Sequence, residues 1–253
     1  MRLIYSVVPA LYLLLGNTLP TRADAQADMM ALIDKATNAV GGSAKVKKLK
    51  AAAWKAKCTF DRAGTPYTLT MDGYFRGWDQ ARADWTVEAQ GMTRTSLTVI
   101  NGRNGWMQSA DQVRSLPKPF LGLLQNLVHG VRLAQMPVLL KDKSYKLAHL
   151  GELNINDRPA LGLKATRQGV ADVDIYFDKK TGIPVKCLFQ SKVGRRGREF
   201  TYEFFFTDLK EMGGIKHFTT IALHRDGQKS LEFKVTDVQA KSDLEADLFA
   251  KPN

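Results

Sequence analysis

Apolar residues recur at every second position over most of this chain. Trp54, Ala56, Cys58 and Phe60 alternate with Lys55, Lys57 and Thr59, and Leu69, Met71 and Phe75 alternate with Thr70, Asp72, Tyr74 and Arg76. Ala81 to Val87 keeps the same beat, and it resumes at Leu161 to Ala165, Val173 to Phe177, Val185 to Phe189, Phe200 to Phe206 and Leu231 to Val235. Period-two alternation predicts strands with one greasy face and one wet face. Asn101-Gly102 and Asp226-Gly227 are favoured two-residue turns, and Asp178 to Gly182 supplies a longer one, so neighbouring strands should run antiparallel. A parallel sheet buried on both faces would show unbroken apolar runs instead. The pattern therefore predicts about ten strands in one large curved antiparallel sheet with a solvated outer face.

One stretch breaks the beat. Between Leu116 and Leu140, Phe120, Leu124, Leu127, Val128 and Val131 recur at helical spacing, widened by Leu121, Leu123 and Leu133. Pro117 and Pro119 mark a start and Pro137 an end, which predicts a helix over 119–136. A second helix is expected from Asp28, as N-cap, to Val40, stopped by Gly41-Gly42. The apolar face of the sheet needs a cover, and only these two helices can supply it. The fold class expected is α+β, in one domain spanning 28–253.

The N-terminus has its own logic. Arg2, the apolar run Leu3 to Leu15 and the small-residue sites around Ala25 and Ala27 follow the order of a cleavable export signal covering 1–27. The run is shorter than the roughly 20 residues that span a bilayer, so a permanent anchor fits less well. Removing 1–27 leaves 35 basic against 24 acidic residues. A balance this basic favours anionic surfaces such as phospholipid headgroups or cell-wall polymers, with a merely solvated surface as the alternative. Export and the lack of interleaved surface aromatics argue against nucleic acid as a partner. Cys58 and Cys187 could pair in an exported protein, but their apolar settings suit two buried thiols at least as well.

Chemistry is sparse. His129, His149, His217 and His224 form no HExxH arrangement, and there is no GxSxG elbow, phosphate-cradling loop or dinucleotide fingerprint. Asp172, Asp174 and Asp178 alternate along a strand, without the glycine and terminal glutamate of a calcium loop. No enzyme, metal site or cofactor is expected. The loop from Lys192 through Arg195 and Arg196 to Arg198 places four cations at a hairpin tip, either as a contact for an anionic surface or as a charged, soluble turn.

The order of elements resembles the lipoprotein-localisation carriers of the LolA/LolB-like superfamily. The resemblance rests on the helix ending at Gly41-Gly42, the turn from Asn101 to Trp106, the helical insertion, and above all Tyr176-Phe-Asp-Lys-Lys-Thr-Gly-Ile-Pro-Val185. It implies an incomplete β-barrel whose concave face holds acyl chains under a helical lid, without catalysis. On that expectation a monomer in the periplasm or cell envelope would bind a lipid or lipoprotein acyl chain, with an anionic membrane surface or envelope protein as a further partner. A cavity would be lined by Leu69, Met71, Phe75, Trp85, Leu124, Leu127, Val128, Val131, Ile175, Phe177, Phe204 and Phe233. The alternative is an envelope interaction module with a filled core and a basic binding surface.

Overall fold

Among the described residues, thirteen antiparallel strands form one sheet, built as two meanders joined at their outer strands. The computed structural model describes residues 22–46, 49–193 and 197–253. The first meander comprises β1 (Ala51–Arg62), β2 (Thr65–Arg76), β3 (Gln80–Ala89), β4 (Met92–Asn101), β5 (Asn104–Ser109) and β6 (Gln112–Ser115). The second comprises β7 (Lys146–Ile155), β8 (Arg158–Thr166), β9 (Val173–Asp178), β10 (Pro184–Val193), β11 (Arg198–Met212), β12 (Ile215–Arg225) and β13 (Gln228–Lys241). Because β1 pairs with β13, the consecutive strands β6 and β7 lie at opposite edges of the sheet. The chain between them holds a helix, here α3 (Lys118–Gln135), and a 3-10 turn (Pro137–Lys141), close to the predicted 119–136.

The contacts of α3 measure how strongly the sheet is curled. Leu121 packs over Gly105 on β5, where an added Cβ would come within 2.8 Å of the leucine, and Gly130 lies against Cys187 and Phe189 on β10. Eight strand spacings separate β5 from β10, roughly 38 Å in a flat sheet. Leu121 and Gly130 are only about 14 Å apart along the helix. The sheet therefore curls round α3, helped by register shifts at Lys55/Ala56, His149/Gly151, Pro184/Lys186 and Leu223/His224.

The turns show why so many strands can meander. Asp226-Gly227 has the paired positive φ of the favoured hairpin turn, as its sequence predicts, but Ala63-Gly64 and Gln90-Gly91 adopt the same pattern without an Asn or Asp to announce it. The expected count of about ten strands falls short for a related reason. β6 is four residues long and β7 is exposed along most of its length, so neither edge strand carries a buried face that would impose alternation.

The helix α1 (Arg22–Ala39) begins six residues before the predicted Asp28, which lies inside it rather than capping it. Residues 22–27 are mostly good helix formers and extend it. The expected export segment Leu3 to Leu15 lies outside the described residues. Met29, Leu32, Ile33 and Ala36 of α1 enter the main core with Leu163, Ile175, Phe177, Cys187 and Phe189. The helix ends where Gly41 and Gly42 take positive φ and the Gly42 amide donates to Thr37 O at 2.9 Å. A short α2 (Ser43–Val46) then leads towards β1.

The C-terminal segment adds a layer that alternation did not foretell. Its 3-10 turn (Ala246–Phe249) lies on the outer face of β2 to β4, with Phe249 fully buried, Arg76 over its ring at 5.3 Å and Asn101 Nδ2 donating to its carbonyl at 3.0 Å. Both cysteines are free and buried, with three strands between β1 and β10, so the pairing considered from the sequence does not form.

Leu163 is fully buried, whereas Leu153 on the edge strand is 46% exposed. Leu163→Ala should cost about 2–5 kcal/mol in urea denaturation and Leu153→Ala less than about 0.5 kcal/mol.

Candidate functional site

The register aligns the apolar positions into rows across the concave face. One row runs Leu163, Ile175, Cys187, Phe204, Leu223 and Leu231, from β8 to β13. A second runs Phe206, Ile221, Phe233, Cys58, Leu69 and Val87, and a third Ala56, Met71 and Trp85. Burial is uneven along them. Leu163, Ile175 and Cys187 have no accessible surface, while Leu223, Leu231, Ile221, Phe233, Val87 and Trp85 are only half-buried. The β8 to β11 side is thus filled, and the middle of the sheet keeps apolar surface in contact with water.

The helix α3 shows the same split. Leu121, Leu123, Gly130, Leu133 and Ala134 are buried against the sheet, and the stripe Phe120, Leu124, Leu127, Val128 and Val131 is half-buried. Leu124 and Val128 lean on the cluster of Ile100, Leu116 and Leu121, and Leu127 and Val131 on the main core. The apolar stripe that marks the helix in the sequence is therefore not its buried face.

A polar and aromatic cluster sits where the C-terminal half of α3 meets the sheet rim. Arg132 is 8% exposed, donates through Nη1 to Gly77 O in the β2–β3 turn, and lies over the rings of Phe75 at 4.7 Å and Trp78 at 5.0 Å. Arg167, beyond β8, lies over Trp78 at 4.9 Å and Tyr145 at 5.4 Å. His129 Nε2 and the Tyr145 hydroxyl are 2.7 Å apart, with the two rings stacked. Burial lowers the Arg132 pKa to about 10, so the guanidinium stays charged at neutral pH. Burial also pushes His129 down to about 4, helped by the charges of Arg167 and Arg132. Among the described residues no group of three His, Cys, Asp or Glu side chains is placed to hold a metal ion.

No protein-family model and no curated protein matches the chain. Solved structures do. A LolA superfamily protein from Nitrosomonas europaea is 16% identical with a TM-score of 0.57, the match covering 88% of this chain and 97% of that one. A DUF1329 family protein from Desulfovibrio piger is 14% identical at 0.54, over 88% and 97%. A Vibrio parahaemolyticus domain ascribed to outer membrane lipoprotein sorting is 14% identical at 0.52, over 87% and 97%. The chain has a LolA-like fold.

Within the LolA-like fold the sequence-predicted lining divides into groups. Met71, Trp85 and Phe233 share one cluster on the inner face of the first meander and β13, and Leu69 stands beside Cys58 and Val87 in the adjoining row. Leu124, Leu127, Val128 and Val131 form the half-buried α3 stripe, while Phe75 packs near Met136 and Val138, next to Arg132. Ile175, Phe177 and Phe204 belong to the filled core, where Ile175 and Phe177 have no accessible surface. Of the basic loop, Lys192 and Arg198 are exposed at the β10–β11 tip, and Arg195 and Arg196 lie outside the described residues. Sequence reasoning missed the rim cluster, because Trp78, Arg132, Tyr145 and Arg167 sit far apart in the chain and share no motif.

His129 and His217 both have pKa values lowered by burial to about 4. The unfolded chain binds their protons first as pH falls, so the stability they confer is complete above about 6.5 and is lost between there and about 4. Urea midpoints should hold steady from pH 8 to 7 and then decline towards pH 4, by on the order of 3 kcal/mol per histidine. His217→Phe should remove about half of that histidine-linked decline.

Proposed function

We propose that this protein is an exported, non-enzymatic carrier that holds an acyl chain between α3 and the middle strands of its concave sheet. The observation that carries this reading is the pair of half-buried apolar surfaces, the α3 stripe and the inner face around Trp85, Ile221 and Phe233. Accessible apolar surface of this kind is costly to leave wet and is usually kept for a ligand or partner. Each acyl methylene that moves there from water contributes about 0.8 kcal/mol, offset by ordering of the lid and the ligand. The LolA-like fold, and its occurrence in a domain ascribed to lipoprotein sorting, support the same reading. On this reading residues 1–27 act as the export signal, 28–253 form the working domain, and the protein acts as a monomer in the periplasm or cell envelope.

A second reading has one observation in its favour. The outer face carries an open groove of about 580 Å³ lined by Lys57, Lys229 and Lys234 together with Asp61 and Glu232. An envelope module with a filled core would use that surface, with Lys192 and Arg198, to meet an anionic polymer or partner protein.

Uptake of fluorescent dodecanoic acid separates the two. The carrier reading predicts saturable uptake that Phe233→Asp weakens at least about tenfold, because a charge would then face the bound chain. Lipid should also be recovered from protein purified from its own envelope. No uptake and no extractable lipid would leave only the interaction module.

A further inference from the structure

Among the described residues, the rim cluster holds two positive charges and no ion-paired carboxylate. Arg132 is more than nine-tenths buried, yet among the described residues no carboxylate oxygen lies within 4.0 Å of it or of Arg167. The exposed Asp79 acts on Arg132, and Arg167 acts on the exposed Asp142, from beyond ion-pair distance. Arg132 Nε and His129 Nδ1 are buried with no hydrogen-bond partner. Folded proteins seldom leave a buried charge unpaired, since an unmatched ion forfeits its hydration without compensation. The rings of Phe75 and Trp78 compensate in part, but a ring face leaves the charge itself in place and accepts nothing from Nε.

The position of this charge is as informative as its state. Arg132 follows Val128 by one helical turn, so it extends the edge of the half-buried α3 stripe towards the rim. Phe75, from the inner face of β2, is the ring beneath it, and both guanidinium groups lie against Trp78, which is exposed at the β2–β3 turn. A half-buried apolar stripe that runs on to two arginines, a tyrosine hydroxyl and an exposed indole has the layout of a site for an amphiphile.

We infer that Arg132 and Arg167, with Tyr145 and Trp78 beside them, form a binding site for the oxyanion headgroup of an amphiphile whose acyl chain lies under α3. This rests on the carrier reading and narrows it to anionic ligands. Phosphate is the best-matched headgroup, because its several oxygens can accept from both arginine forks, Arg132 Nε included. The same chemistry would accept free phosphate, so the acyl chain is what must distinguish the two sources.

Displacement of the neutral fluorophore N-phenylnaphthylamine tests this, using dodecyl phosphate, dodecanol and inorganic phosphate below micellar concentrations at pH 8. Dodecyl phosphate should bind at least about tenfold more tightly than dodecanol, the ratio expected for one charge-assisted contact or more. Arg167→Gln should reduce the ratio to about threefold or less, and Lys180→Gln, at an exposed turn, should leave it intact. Arg132→Gln should act in the same direction, but because it also cuts the bond to Gly77 the half-buried Arg167 carries the test. Equal affinity for the two amphiphiles would overturn the headgroup site and leave the apolar groove standing. Inorganic phosphate binding as tightly as dodecyl phosphate would assign the site to a free anion and overturn the lipid inference. Binding of neither amphiphile would overturn the carrier reading, and the headgroup site with it.

Discussion

The structure depends on a single crossover. Two meanders are stitched at β1 and β13, so the chain leaves the first at one edge and enters the second at the other. The segment between those edges holds α3, which must reach both halves of the sheet within a few turns. It does so at Gly105, where an added Cβ would come within 2.8 Å of Leu121, and at Gly130, which rests in ordinary contact with Cys187 and Phe189. Curvature, concavity and the existence of a covered face all follow from this tie. A sheet of thirteen strands would otherwise flatten or split.

The tie is also uneven, and the unevenness is what makes a site. On the β8 to β11 side, aromatic residues and α1 fill the concave face at close to full burial. The α3 stripe is left half-buried, and so are Trp85, Ile221 and Phe233 on the inner face of the middle strands. A folding core alone would gain by burying both surfaces, at roughly 25 cal/mol for each Å² removed from water. The unpaired Arg132 extends the edge of the same stripe.

Much of this was legible in the sequence. Strand alternation gave the inner and outer faces almost residue by residue, because each strand must bury one side only, and the α3 limits followed from its prolines and periodicity. What was hidden had physical causes. Edge strands β6 and β7 bury no face and so leave no pattern. Packing of Phe249 on the outer face depends on a contact with Arg76 far away in the chain. The rim cluster joins a turn, a helix and two loops, so no local spacing announces it. Phe120, Leu124, Leu127, Val128 and Val131 share one helical face, as their spacing predicts, but how far that face is buried is set by the curvature of the sheet, which periodicity does not encode.

On the proposed function, an acyl chain lies between α3 and the middle strands. A fatty acid with a photoactivatable diazirine in its chain, cross-linked to the folded protein and mapped by peptide mass spectrometry, tests that claim most directly. Adducts should concentrate on the α3 stripe from Phe120 to Val131 and on the inner residues Trp85, Ile221 and Phe233. Adducts confined to the outer groove around Lys57, Lys229 and Lys234 would contradict it.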